Sequence, residues 1–93
     1  MGLPLQITSF AQGSLSISGV AAQTGALTRG YYAIWTTVNC YIKTNVTAND
    51  VTTASGFILY AGQIPDALLI EDGHKIGAIT SGATGTLSYH RIG

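Results

Sequence analysis

Polar and apolar residues alternate strictly over Ser14-Leu15-Ser16-Ile17-Ser18. Period two puts Leu15 and Ile17 on one face and the serines on the other, the pattern of a strand with one buried side. Residues 30–36, GYYAIWT, are dense in aromatic and β-branched side chains that suit a pleated surface. There Tyr31, Ala33 and Trp35 share one face, and Tyr32, Ile34 and Thr36 the other. After a bend at Thr37-Val38-Asn39, residues 40–43 come back, and the two runs are expected to form a central hairpin. Residues 57–60, FILY, predict a short buried strand.

Residues 67–91 carry the densest punctuation. Ala67-Leu68-Leu69-Ile70 is followed by Asp72-Gly73, whose residues tolerate the positive φ that a type I′ hairpin requires. Residues 75–80 return, residues 81–85 turn with two glycines, and a last strand sets Leu87 and Tyr89 opposite Thr86, Ser88 and His90. The expectation is an antiparallel meander. Residues 6–10 predict a further strand, residues 19–30 a long loop or arm, and residues 44–56 a Thr-rich connection. No stretch holds a helical period beyond a turn. Seven or eight short strands in a single domain, 1–93, predict an all-β fold, a small antiparallel β-sandwich or jelly-roll-like barrel.

Composition changes this picture in one respect. Only 9% of the 93 residues are charged and 46% are apolar, against about 25% charged in an ordinary domain. A chain this short buries only about 60–65% of its unfolded surface and needs polar residues to cover the rest. The shortage implies that part of the surface is covered by other subunits. No apolar run approaches the ~18–20 residues of a membrane helix. Net charge is zero, with Arg29, Lys43, Lys75 and Arg91 against Asp50, Asp66, Glu71 and Asp72, so no basic cluster points to nucleic acid. The single cysteine, Cys40, allows no intrachain disulfide. No basic segment followed by an apolar core marks a signal peptide at the N-terminus.

Candidate chemistry is sparse. His74 and His90 are the only imidazoles, and neither Cys40 nor a carboxylate stands at ligand spacing from them, so no metal site is expected. None of the 12 glycines lies in a phosphate-loop context, which leaves no cofactor expected. No strand-Ser-helix elbow is present, and the carboxylates near Asp72-Gly73 are explained by turn formation. The reading is of a non-enzyme. The aromatics are the open question: Tyr31, Tyr32 and Trp35 could form a platform on which a sugar stacks, although aromatics in so small a domain more often build the core.

Ala33-Ile34-Trp35-Thr36-Thr37, the returning Cys40-Tyr41-Ile42-Lys43, the Thr/Ala-rich loop 44–56, the apolar run and glycine turn 68–73, and the closing IGAITSGATGTLSYHRIG of 76–93 together resemble short virion proteins of tailed bacteriophages. Residues 30–35 are richer in aromatics than that pattern, and residues 3–25 have no counterpart in it. The resemblance implies a capsid decoration or cement protein on the outside of the shell, with the major capsid protein as partner. It also implies a homo-oligomer, a trimer favoured. Residues 1–12 would then be an N-terminal arm whose Leu3, Leu5, Ile7 and Phe10 contact a neighbour, with Tyr31, Tyr32 and Trp35 as further interface candidates. A tail, neck or fibre component, or a carbohydrate-binding module for host adsorption, are the alternatives.

Overall fold

A computed structural model describes residues 12–62 and 68–93. The expected strand at 6–10, the arm residues Leu3, Leu5, Ile7 and Phe10, and most of the link before β6 lie outside the described residues. Eight strands follow in order: β1 (Gln12–Ile17), β2 (Ala22–Gln23), β3 (Gly30–Thr36), β4 (Cys40–Asn45), β5 (Phe57–Leu59), β6 (Leu68–Ile70), β7 (Lys75–Ile79) and β8 (Gly85–Arg91). They form two four-stranded sheets, ordered β1-β8-β3-β6 and β2-β7-β4-β5, with every neighbouring pair antiparallel. The chain changes sheet at every connection except β4 to β5, which is the eight-stranded jelly-roll arrangement.

Alternation fixes the two faces of each strand. On β3, Tyr32, Ile34 and Thr36 are buried, while Tyr31 and Trp35 are exposed. Ile17, Tyr32, Ile70 and Leu87 from the first sheet meet Cys40, Ile42 and Ile76 from the second in one core. Tyr32 is fully buried, and its hydroxyl donates to the Thr28 carbonyl at 2.7 Å, so the polar end of a large apolar side chain is satisfied inside the protein.

Two expected hairpins are corrected. β3 and β4 do not pair with each other: β3 lies between β8 and β6, and β4 between β7 and β5. The bend at 37–39 is an arch from one sheet to the other. At its start the Thr36 hydroxyl donates to the Val38 carbonyl at 2.7 Å and accepts the Val38 N–H at 3.3 Å. Next to it, Thr37 N–H donates to the Thr86 carbonyl at 3.0 Å, and Thr86 N–H returns to Thr37 Oγ1 at 2.9 Å. These bonds tie the turn to β8 before the chain crosses the core. The C-terminal meander likewise does not form, since β6 and β8 lie in the first sheet and β7 in the second. The Asp72-Gly73 turn is real, with Gly73 at φ +80° and His74 N–H donating to the Glu71 carbonyl at 3.0 Å. It too connects the sheets.

Two further expectations change. Residues 19–30 are not a bare loop: they contain β2 and are held to β7 by backbone bonds from Thr24 N–H to the Ile76 carbonyl (2.9 Å) and from Leu27 N–H to the His74 carbonyl (2.9 Å). Residues 57–60 are not a buried strand. β5 is a three-residue edge strand in which only Leu59 is buried and Phe57 is 73% exposed.

The outer faces of the two sheets differ. Residues 46–56 fold over the second sheet, burying Ala48 and Val51. Gln23 Oε1 on β2 accepts the N–H groups of Ala48 (3.0 Å) and Asn49 (3.1 Å), and Lys43 Nζ on β4 meets Asp50 Oδ1 at 2.7 Å. Gly77 of β7 lies so close beneath the Ala48 backbone that a Cβ would collide with its carbonyl. Comparable cover is not seen on the outer face of the first sheet among the described residues.

Candidate functional site

The outer face that the described residues leave open belongs to β1, β8, β3 and β6, and register places its side chains in rows. Tyr31 lies opposite Leu69, Ala33 opposite His90, and Trp35 opposite Ser88, which in turn faces Ser14. Beyond β8 the chain stays against β3, because Ile92 N–H donates to the Tyr31 carbonyl at 2.7 Å and Tyr31 N–H to the Gly93 carbonyl at 3.1 Å. Tyr31, Leu69 and Ile92 therefore gather at one end, 50%, 41% and 39% exposed, on the corner where β6 forms the sheet edge. Trp35 stands at the other end, 45% exposed, four residues or about 13 Å along the strand. The face thus has an apolar end and an end where one indole stands across from two serines.

Of the aromatic residues singled out in the sequence, the structure brings Tyr31 and Trp35 to this face and removes Tyr32 from it. Tyr32 stands on the opposite side of β3 with its ring centroid 6.4 Å from that of Tyr89, as part of the core. A platform of all three is therefore ruled out by the pleat. Leu69 and Ile92 carry no chemical signal in the sequence. A run of three apolar residues at 68–70 could have directed Leu69 outward by alternation, but nothing places Ile92 beside Tyr31 until β8 is paired with β3.

Two ion pairs involve four of the charged groups, one of them beside the Tyr31 end of this face. Arg29 Nε lies 2.8 Å from Glu71 Oε1, and the hydrogen bond and charge of Glu71 hold the guanidinium above its ordinary range. The hydrogen bond from Lys43 holds the Asp50 carboxyl below its ordinary value. Cys40 is fully buried, and burial pushes its thiol up, with a Thr36 hydrogen bond opposing in part. A protonated, enclosed thiol is a packing group and a poor nucleophile. No set of three or more His, Cys, Asp or Glu side chains converges as a metal site among the described residues. Every buried side-chain nitrogen and oxygen there has a hydrogen-bond partner.

What this arrangement can do is bind. Aromatic and aliphatic groups on the flat face of a sheet, with few charges, offer desolvation and shape rather than bond-making chemistry. Compared with protein-family models, curated proteins and solved structures, the chain matches none.

Proposed function

We propose that the protein is a virion structural component, a decoration or cement subunit that binds the outer surface of a major capsid shell and associates with further copies of itself. One observation carries this reading: the outer face of the first sheet leaves Tyr31, Leu69 and Ile92 exposed together at an edge, while the opposite sheet is covered by the chain's own loop. Contiguous exposed apolar groups at a sheet corner cost solubility unless a partner covers them. The low charge of the chain and its likeness to short phage virion proteins support the same assignment. In this reading Tyr31 and Leu69 form the buried centre of the contact, the position where aromatic residues contribute most. Residues 1–12 would add an arm reaching a neighbouring subunit.

Co-sedimentation with empty shells assembled from the major capsid protein encoded alongside it tests the proposal. Saturable binding that tracks the number of shell sites is the expected result. Failure to pellet with shells, under conditions where the protein is folded, sinks it.

A further inference from the structure

The Trp35 end of the same face differs in chemistry from the Tyr31 end. Across from Tyr31 stand Leu69 and Ile92, which suit a protein partner. Across from Trp35 stand Ser88 and then Ser14, one and two strands away, about 5 and 10 Å by ordinary strand spacing. Together with Gly13, Tyr89 and His90 these residues line an open concavity of about 360 Å³. That volume is at the lower end of the range for small-ligand sites. Among the described residues, no Asp, Glu, Lys or Arg lines it.

We infer that this concavity is a binding site for a short neutral saccharide, whose apolar ring face stacks on the Trp35 indole while its hydroxyls bond the hydroxyls of Ser14 and Ser88. The indole face is electron-rich and attracts the polarised C–H groups of a sugar ring. An apolar partner laid on the same spot would strip water from the two serine hydroxyls without replacing their hydrogen bonds, at a cost in affinity. A saccharide brings donors and acceptors with it. An ionic ligand would find no countercharge among the described lining residues. The site is also held firmly from beneath. Ser88 lies on β8, which is paired on both sides, and Tyr89 fills the space left by the missing side chain of Gly13, its hydroxyl 2.5 Å from where a Cβ would stand. The strands that carry the indole and the serines are therefore fixed before a ligand arrives.

This inference stands apart from the shell-binding proposal, because it uses the opposite end of the face. Trp35 is the only tryptophan of the chain, so its fluorescence reports on this site alone. Maltotriose, cellotriose and N,N′,N″-triacetylchitotriose are each titrated into the whole purified protein to about 10 mM, tenfold above a weak Kd of about 1 mM. A saturable fluorescence change with at least one of them is expected. By amide chemical-shift titration, Trp35→Ala should weaken that binding at least about tenfold, equivalent to losing one stacked ring. Trp35→Tyr, which keeps an aromatic plane, should retain it within about tenfold. Tyr31→Glu should leave it unchanged. Absence of a response to all three trisaccharides, undiminished binding by Trp35→Ala, or loss of binding in Tyr31→Glu would each overturn the inference.

Discussion

Gly77 on β7 and Ala48 in the 46–56 loop are in such close approach that the backbone of one occupies the space a side chain on the other would need. The relationship explains why the second sheet has a covered outer face. A residue with no Cβ lets the loop descend onto the strand, and Gln23 then accepts both Ala48 and Asn49 N–H groups. Gly77→Ala is expected to destabilise the protein by about 1–3 kcal/mol, the usual cost of inserting atoms into a packed contact. Urea unfolding measures it, and an unchanged midpoint would mean that the loop does not rest there.

Thr24 supplies a second test of how 19–30 is held. It is buried, its hydroxyl accepts Ile76 N–H at 3.0 Å, and its own proton goes to the Gly25 carbonyl at 2.8 Å. Thr24→Val keeps the shape and removes both bonds, leaving a buried Ile76 N–H without a side-chain partner. A loss of about 1–3 kcal/mol is expected. Amide exchange should show faster opening at Ile76 than in the wild type, with β3 and β8 unchanged.

Tyr32 and the core give a comparison with the exposed face. Tyr32→Phe removes the hydroxyl bonded to the Thr28 carbonyl and should cost about 1 kcal/mol. Leu87→Ala, at a fully buried position, should cost about 2–5 kcal/mol. Trp35→Ala, on the solvent side of the same strand as Tyr32, should change thermal stability far less than either.

Burial of Cys40 sets an alkaline limit. Its folded-state thiol titrates above the ordinary value of 9.0, so both states hold the proton below that pH and the thiol makes no contribution to pH dependence there. As pH rises past the ordinary value, the unfolded chain gives up its proton while the folded chain retains it, and stability falls until the raised folded value is passed. Stability measured from pH 7 to pH 10 should therefore decline, and less steeply in Cys40→Ala. Reaction with a thiol reagent at pH 8 should be slow in the native protein and complete after unfolding.

Much of this was legible in the sequence at the level of faces. Alternation set Leu15 and Ile17 on the buried side of β1, separated Tyr32, Ile34 and Thr36 from Tyr31, Ala33 and Trp35 on β3, and grouped Leu87 with Tyr89 on β8. It did not say which face of β3 turns inward, and Tyr32, expected at an interface, is in the core. It could not assign partners. A three-residue bend between Thr36 and Cys40 produces the same alternation whether the chain folds back beside itself or arches across a core, because both geometries bury the same residues. The choice is made by distant bonds, such as Thr37 to Thr86, that local pattern does not contain. The same limit hid β2, whose two residues are held by β7 far along the chain. It also hid the gathering of Tyr31, Leu69 and Ile92, which come from three separate segments.

The most direct test of the account is sedimentation of Tyr31→Glu beside the wild type with empty shells of the partner capsid protein. Tyr31 is half exposed and outside the core, so the variant should fold with an unchanged circular-dichroism spectrum. The account predicts that wild type pellets with shells and that Tyr31→Glu binds at least about tenfold more weakly, the loss expected when a charge replaces an aromatic centre of contact. Equal binding by the two proteins, or binding by neither, would contradict it.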